Sequence, residues 1–457
     1  MLNLGALMRR TTAVAALLVV AQGELLAQTQ GKARGSSPAA VEAETLKLLR
    51  ALRNPNAPDP GMVAEQIHAL GSEAIAPLMT MLKERQLRDP EDPRNSARKL
   101  SKTQTQAALD ALGAFGRESV LPHWRLHFED RDEDFLEPLE TVAALRVLGS
   151  FGTEHDLDRV WEVAGAETEE PLCETLATNL ELTTASILTR DPRAFDRLEV
   201  TWTRLPRSWR DEAVRAVGRT RDARGLGLFA EMMRLAPDQQ RLVASQIPLL
   251  GPSNDPSINA SLTESLLTQL NEGSKADVQT AALALAILED FSVVADLLVL
   301  LDDERPGVPE SAHRALCTLT NKSLQASGQS WRRWYDGERA WRRSGLESTL
   351  ADLDSQDPGV VLSALREISR HRLERHELAF EVSQSLWSAH QSVRVMAAQV
   401  LFELDSRWGA AGLALALGDD SERVRDSAHE ALVHIMGVDR GTEVEDWEEC
   451  DFPRDFY

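Results

Sequence analysis

One helical stretch occurs twice in the sequence, as SAHRALCTLTN at residues 311–321 and as SAHEALVHIMG at residues 427–437, 116 residues later. In each copy, apolar residues recur at the three- and four-residue spacing that places them on one face of an α-helix. Each copy ends in Asn or Gly, the residue types that best tolerate the left-handed conformation that closes a helix. A tryptophan follows each copy at the same distance, Trp331 and Trp447. The shared face, end and tryptophan indicate an internal repeat.

Helices of the same kind surround these copies, and each begins with a valine. The leading valines are 30, 52, 33 and 31 residues apart, so the long step contains an insertion of about twenty residues. A period near 33 with two helices per unit is typical of an α-solenoid, in which stacked helix pairs bury one another's apolar faces. The leading valines are Val278, Val308, Val360, Val393 and Val424.

The first half of the chain carries a different repeated feature. An apolar residue is followed by glycine, a short polar turn and a second helical pattern, with steps of 45, 36, 66 and 33 residues. The step of 66 is twice 33, and it contains a further helix pair with its turn at residues 189–191. The glycines are Gly71, Gly116, Gly152, Gly218 and Gly251.

These patterns predict an all-α fold, an α-solenoid (superhelix) of about twelve stacked antiparallel helix pairs. We expect N-terminal repeats over residues 41–251 and C-terminal repeats over 252–440. A Trp/Arg-rich insertion at about 322–345 interrupts the second set, and an acidic tail follows at 441–457. Residues 28–40 have the composition of a flexible linker.

The composition is that of a globular protein, with 43% hydrophobic and 27% charged residues. Aromatic residues make up only 5%, which favours helix packing over a β-sheet. The formal net charge of −22 repels phosphate backbones and anionic lipid, so we expect no nucleic-acid partner. No segment after the N-terminal region is long and apolar enough to span a membrane.

The first 27 residues have the pattern of a secretory signal peptide. Arg9 and Arg10 precede an apolar run over residues 11–21, which is too short to span a membrane comfortably. Cleavage after Ala21 or after Ala27 fits the pattern equally well. We therefore expect export to the periplasm or beyond the cell.

Residues of catalytic or metal-binding type form no recognisable motif. In HEALVH, His429 and His434 are five residues apart and therefore point about 140° apart on a helix, too far to hold one zinc ion. His371 and His376 in HRLERHE have the same spacing, and their pattern indicates a solvated polar face. We predict no metal, no cofactor and no catalytic residue. The three cysteines, Cys173, Cys317 and Cys450, have no metal-site spacing, and whether two of them pair stays open.

The stretches VRVMAAQVLFEL and VRDSAHEALVHIMG resemble the HEAT-repeat family, particularly its short bacterial members. The shared features are the Val-Arg pairs at 393–394 and 424–425, a small residue four positions after each valine, and acidic residues before several helices. The resemblance covers residues 41–440, although the N-terminal units lack Val-Arg and keep mainly the glycine turn. It implies a curved superhelix and, most often, protein binding. Some members of the family are bilin lyases or phycobilisome-associated, but no residue here maps onto such a role.

The candidate binding site is the insertion, SWRRWYDGERAWRRSG at residues 330–345. On a helix its three tryptophans fall within about 80°, with most of the arginines to one side. Two interpretations are open: an amphipathic segment whose tryptophans pack on the solenoid, or a recognition surface for an anionic partner, since Trp and Arg dominate binding hot spots. The candidate residues are Trp331, Arg332, Arg333, Trp334, Arg339, Trp341, Arg342 and Arg343.

The function predicted from these observations is an exported, non-catalytic scaffold that binds another protein, whose identity the sequence does not indicate. An enzyme or enzyme accessory of the lyase-like HEAT-repeat type is one alternative, and it requires ionisable groups such as His371 and His376 to converge in a pocket. A cell-wall or carbohydrate-binding module is the other, and it requires the tryptophans of the insertion to be exposed. The oligomeric state stays open.

Overall fold

The computed structural model describes residues 37–54, 57–87, 98–129, 136, 138–164, 174–448, 450 and 452–453. Outside these residues lie the predicted signal peptide, most of the predicted linker, Cys173, and residues 449, 451 and 454–457 of the tail. The described chain is almost entirely α-helical, and its internal contacts divide it into two units, the first ending at Asp222 and the second beginning at Ala223. The change from glycine-marked to valine-marked repeats in the sequence comes instead at Gly251, one helix pair after this division.

The described part of the first unit contains ten α-helices, three short 3-10 helices and one two-stranded antiparallel ribbon. Its α-helices are α1 (Pro38–Ala51), α2 (Pro60–Ala69), α3 (Ile75–Glu84), α4 (Lys102–Phe115), α5 (Arg117–Phe128), α6 (Pro138–Phe151), α7 (Leu157–Val163), α8 (Glu174–Arg190), α9 (Ala194–Thr201) and α10 (Arg207–Thr220). The 3-10 helices are Ser72–Ala74, Glu154–Asp156 and Trp202–Arg204. The strands are β1 (Gln86–Leu87) and β2 (Arg98–Lys99), with Gln86 opposite Lys99.

The described part of the second unit contains thirteen α-helices and four 3-10 helices. The α-helices are α11 (Gly225–Leu235), α12 (Gln240–Leu250), α13 (Pro256–Glu272), α14 (Lys275–Ile287), α15 (Val294–Leu300), α16 (Val308–Thr320), α17 (Gly328–Ser344), α18 (Leu346–Leu353), α19 (Pro358–Ile368), α20 (Arg375–Gln384), α21 (Gln391–Leu404), α22 (Ala410–Ala416) and α23 (Glu422–Met436). The 3-10 helices are Phe291–Val293, Ser385–Trp387, Arg407–Gly409 and Val444–Trp447.

Each unit is built from two rows of helices, because alternate helices along the chain pack side by side. In the first unit α2, α4, α6, α8 and α10 form one row, and α3 with α5 and α7 with α9 form the other. In the second unit one row runs through α12, α14 and α16 and resumes through α19, α21 and α23. Its other row pairs α11 with α13, α15 with α17, and α20 with α22. This is the stacked-pair packing of an α-solenoid, so the predicted fold class is confirmed.

Short polar sequences start several of these helices. The side chains of Asp59, Asp255 and Asp357 each accept a hydrogen bond from a backbone N–H in the first turn, and each aspartate is followed by a proline. Such a cap satisfies a helical N–H that has no partner within the helix, and proline at the first helical position has no N–H to satisfy. The Asp-Pro dipeptides therefore explain why α2, α13 and α19 begin where they do.

The two copies of the repeated stretch end as the sequence predicts. Asn321 after α16 and Gly437 after α23 both adopt the left-handed conformation, with φ of 49° and 68°. The tryptophans that follow them are both buried, with Trp331 0% and Trp447 1% exposed. Gly218 differs from the expected turn glycine: it lies inside α10, which continues to Thr220, and Arg221 takes the left-handed position instead.

Small residues let the helices of the first unit approach closely. A Cβ atom added at Gly113 of α4 would lie 2.9 Å from the carbonyl oxygen of Ser150 in α6, and one at Gly149 of α6 would lie 3.4 Å from Thr183 of α8. Both glycines lie where one helix of the row crosses the next. They therefore set the short distances between α4, α6 and α8.

Candidate functional site

The Trp/Arg-rich insertion folds mainly as helix α17, which packs beside α15. Trp331 in its first turn is fully buried, and its ring meets the rings of Trp334 and His313 edge to face, at centroid distances of 5.5 and 6.0 Å. Such aromatic pairs add about 0.5–1.5 kcal/mol to the free energy gained from burial. The first tryptophan of the insertion therefore anchors α17 to the preceding helix pair.

A buried carboxylate, Glu338, holds the middle of α17. It is 5% exposed, and it accepts hydrogen bonds from the Trp334 indole N–H at 3.0 Å and from the backbone N–H groups of Arg372 and Leu373 at 3.2 Å each. Its other neighbour is the His371 ring, 3.4 Å away. Burial alone would raise the pKa of Glu338, but the hydrogen bonding and charge of His371 and the two backbone donors lower it. The carboxylate thus ties α17 to the turn between α19 and α20.

Trp341 completes this attachment. Its ring stacks on the imidazole of His371, with ring centroids 3.7 Å apart and an interplanar angle of 9°. The His371 side chain is only 13% exposed. The expectation that His371 belongs to a solvated polar face is therefore wrong, because the inserted helix covers it.

Two arginines of α17 pair with carboxylates at its edges. Arg332 pairs with Asp302, which precedes α16. Arg342 pairs with Glu374 and lies 3.4 Å from Glu377, at the start of α20. These pairs are partly exposed and are worth at most about 1 kcal/mol each. They orient the helix more than they stabilise it.

The other three arginines, Arg333, Arg339 and Arg343, are exposed and make no ion pair within the described chain. The Arg339 guanidinium lies 5.6 Å from the Tyr335 ring centroid, and the Arg343 Nε donates to the Arg339 carbonyl oxygen at 3.1 Å. The three charges are therefore presented to solvent on a helix whose opposite side is fixed. We call these three residues the arginine stripe.

The structure thus separates the eight candidate residues by role. The tryptophans face the solenoid and the arginines face outward, as the helical spacing predicts. Glu338 is the residue that the sequence did not single out. Its place among the tryptophans on the helical wheel was the available signal, because a carboxylate on an apolar face needs buried partners.

A second group of ionisable side chains lies where the turn after α14 meets the start of α20. Arg375 is 4% exposed and lies 2.6 Å from Glu289, and it also donates to the backbone carbonyls of Leu404 at 3.1 Å and of Asp405. Burial alone would raise the pKa of Glu289, but the hydrogen bond and charge of His376 and the charge of Arg375 lower it. The group links turns that are 86 residues apart in the sequence.

His376 lies between Glu289 and Ser406. Its Nε2 is 3.1 Å from a Glu289 carboxylate oxygen, and its Nδ1 is 2.7 Å from the Ser406 hydroxyl. Glu289 and His376 also line a cavity of about 310 Å³ together with Trp408. Ser406 itself is 1% exposed and accepts a hydrogen bond from the Trp408 N–H, so its hydroxyl caps the short helix at Arg407–Gly409 and does not face the cavity. The expectation of a solvated polar face is therefore wrong for His376 as well, because its side chain is only 12% exposed.

The remaining histidines of the C-terminal repeat have separate partners. His429 lies 3.1 Å from Asp439, while His434 lies 3.5 Å from Asp405 and stacks on Phe402. In the described residues, no three His, Cys, Asp or Glu side chains are placed to hold a metal ion together. The thiols of Cys317 and Cys450 are unpaired. None of the described helices combines the length and the apolar character needed to cross a bilayer.

Comparison with known proteins adds little to this description. No family model matches the sequence, and no curated protein does. Among the solved structures that match is a crystal structure of a Kap121p mutant, with a TM-score of 0.36 and 12% identical residues. The match covers 90% of this chain and 49% of the other, so this chain spans about half the length of that protein. The class of the protein, an α-solenoid, is defined by its own stacked helix pairs.

Proposed function

We propose that this protein is an exported, non-catalytic scaffold that binds another protein through the arginine stripe of α17. The observation that carries the proposal is the contrast between the two sides of this helix. One side is fixed by Trp331, Glu338 and Trp341, and the other presents arginines that the described chain does not neutralise. Export rests on the signal-peptide pattern of residues 1–27.

A rigid helix favours binding because little freedom is lost when the partner docks. Arg339 and Arg343 lie within about 40° of one another on the helix surface, so one partner surface can reach both. Arginine is enriched at binding hot spots, and its planar guanidinium can form two parallel hydrogen bonds to a carboxylate. The partner surface that fits the arginine stripe therefore carries Asp or Glu side chains, whereas most of this acidic chain repels such a surface.

Carbohydrate binding finds less support. A sugar-binding platform needs an open aromatic face, but Trp331 is fully buried and Trp341 is covered by the His371 ring. Trp334 donates its indole N–H to the buried Glu338. The three aromatic side chains are thus committed to holding α17 in place.

One observation favours a catalytic role: His376 and Glu289 line the same cavity. His371, however, has different partners, and Ser406 is buried by its capping role. The contacts of Glu289, Arg375 and His376 are explained by the joining of separate turns. We therefore favour a structural role for this group.

Affinity capture from the cell-envelope fraction tests the proposal. The full-length protein is expressed with a C-terminal tag, and its captured partners are compared with those of the triple variant Arg333→Gln, Arg339→Gln, Arg343→Gln. We expect a stoichiometric partner that is recovered with the wild type and lost with this variant. N-terminal sequencing of the exported protein should begin at Gln22 or Gln28, and an intact Met1 on envelope-associated protein would remove the export part of the proposal.

The matched control is a second triple variant, Arg314→Gln, Arg366→Gln, Arg423→Gln, which removes three arginines elsewhere in the second unit. These arginines are also exposed and make no ion pair within the described chain. Both triple variants change the net charge equally. Equal loss of the partner in both would show a general charge effect, and retention in both would rule out the arginine stripe as the binding surface.

A further inference from the structure

A groove crosses the row of helices α4, α6 and α8 in the first unit. Its volume is about 940 Å³, and its floor contains Gly113 and Gly149, two positions where neighbouring helices are in contact. Among the described residues, the charged ones that line it are five cations and one carboxylate, in a chain whose net charge is −22. These residues are Arg85, Lys99, Lys102, Arg146, Arg190 and Asp110.

None of the five cations forms an ion pair within the described residues. Three of them, Arg85, Lys99 and Arg146, also line one smaller recess of about 50 Å³ at the end of the groove. Partial burial lowers the pKa of Arg146, and the positive charge of Arg85 lowers it further. Like charges are thus gathered at one place, and no carboxylate of the described residues pairs with them.

Two of the arginines are held in position by neutral groups. The Arg146 Nε donates to the Asn179 side-chain oxygen at 2.7 Å, which leaves its two terminal nitrogens directed elsewhere. Arg190 donates to the carbonyl oxygens of Gly149 at 2.7 Å and Gly152 at 2.9 Å, so capping the end of α6 explains its presence.

The remaining three cations have no such explanation. Lys102 is the first residue of α4, where the helix dipole disfavours positive charge. Lys99 lies in β2, and Arg85 closes α3 in the left-handed conformation. No ion pair within the described residues accounts for these three positive charges, and this points to a ligand that supplies an anion.

We propose that this groove binds an acidic, extended segment of a polypeptide, a second binding site that goes beyond the arginine stripe. Three neighbouring helices span about 20 Å, since packed helices lie ~10 Å apart, and about six extended residues cover that length at ~3.3 Å each. Carboxylates of the segment meet Arg85, Lys99 and Arg146 at one end. Its backbone meets the polar side chains of the floor, including Gln106 and Ser150.

The lining of the groove favours a peptide over a nucleic acid. Single-stranded nucleic acids bind largely through aromatic side chains on which the bases stack. None of the described residues that line this groove is aromatic, whereas aliphatic contacts are available from Leu109 and Leu182. The groove is therefore suited to an acidic main chain with small or aliphatic side chains.

Fluorescence anisotropy with the full-length protein tests this. The probe is a labelled twelve-residue peptide that alternates Glu-Glu with Gly-Ala, and the comparison peptide replaces each Glu with the neutral Gln. We expect binding of the Glu peptide that weakens as salt is added, and no binding of the Gln peptide. The double variant Lys99→Gln, Arg146→Gln should weaken binding about tenfold or more, as expected when two charge-assisted contacts are lost.

The matched control is the double variant Lys47→Gln, Arg204→Gln, which removes one lysine and one arginine from exposed positions of the first unit outside the groove. It should bind the Glu peptide like the wild type. The single variant Lys99→Gln serves if the double variant melts early. Equal weakening in both double variants would overturn the proposal, as would tighter binding of a labelled dT12 oligonucleotide than of the peptide.

The peptide-binding experiment can be interpreted independently of the test of the proposed function. The triple variant of the arginine stripe should bind the Glu peptide with unchanged affinity. Loss of peptide binding in that variant would place the site on α17 and overturn the assignment to the groove.

Discussion

The second unit pairs its partly buried arginines with carboxylates of the chain, whereas in the described part of the first unit no carboxylate forms an ion pair with the cations of the groove. Arg375 meets Glu289, and Arg394 meets Asp419 through two nitrogen–oxygen contacts of 2.7 and 2.9 Å. Arg146, by contrast, meets only a neutral amide. This difference shows that arginine has two roles in this fold. An arginine paired with a carboxylate joins repeats to one another, and an arginine without such a pair is available to a ligand.

The largest effect is expected for the most buried paired arginine. Substitution Arg375→Met should lower the free energy of unfolding by about 3 kcal/mol, because Glu289 and the carbonyls of Leu404 and Asp405 lose their donor. Chemical denaturation of the purified protein measures this. The exposed Arg366→Met in α19 is the control and should change stability by less than about 0.5 kcal/mol. A similar small change at Arg375 would mean that its pairing does not stabilise the unit.

A smaller loss is expected when the buried carboxylate of α17 is made neutral. Glu338→Gln should cost about 1–3 kcal/mol at pH 7, since one of its donors is left without a matching acceptor and the contact with His371 weakens. The measurement is the difference in unfolding free energy between wild type and variant.

The same variant gives a pH dependence whose sign is fixed. The folded-state pKa of Glu338 is lowered, so its stabilising contribution is present above the unfolded-state pKa and is lost as the pH falls through the folded-state value. The stability difference between wild type and Glu338→Gln should therefore shrink as the pH falls below about 4. A difference that grows on acidification would contradict the lowered pKa.

The Arg394–Asp419 pair should give an intermediate effect. Arg394→Met removes a bidentate contact between side chains that are 16% and 12% exposed, and we expect a loss of about 1–2 kcal/mol. Burial alone would raise the pKa of Asp419, but hydrogen bonds from Arg394 and the Ser421 N–H lower it. Thermal melting at pH 7 checks the prediction, with the exposed Arg423→Met as the matched substitution. Equal melting temperatures of the two variants would show that the pair does not join the repeats.

The smallest effect is expected in the groove. Arg146→Met should lower the free energy of unfolding by no more than about 1 kcal/mol, because the Asn179 side-chain oxygen loses a hydrogen bond while a repulsion with Arg85 is removed; the loss should be smaller at low salt, where that repulsion is stronger. Thermal melting at two salt concentrations distinguishes this from a structural role. A loss as large as that of Arg375→Met would remove the contrast between the two regions.

The sequence predicts the features that depend on local patterns. The matched copies before Asn321 and Gly437 and the left-handed residues that end them follow from spacing and residue type. So does the separation of tryptophans and arginines on α17. Gly218 shows the limit of this reasoning, because a glycine inside a helix resembles one that ends it.

The features that depend on stacking could not be predicted. Glu289 and Arg375 meet although 86 residues separate them, and the helical period does not fix which turns adjoin across an insertion. The groove could not be predicted for the same reason. Lys99 and Arg146 belong to different helix pairs, and in each pair the sequence around them is that of an ordinary polar surface. Neither arrangement has a signal within a single repeat.

The interruption between α16 and α19 has a mechanical consequence. Elsewhere in this row of the second unit alternate helices pack directly, but here the connection passes through α17, α18 and contacts between turns, among them Glu289 with Arg375 and Lys322 with the Arg370 carbonyl oxygen. In a chain of nearest-neighbour units, cooperativity is weakest where the coupling between neighbours is indirect. Under a pulling force, or in native-state hydrogen exchange, the block from α19 to Trp447, which shares one hydrophobic cluster, should therefore open as a separate step.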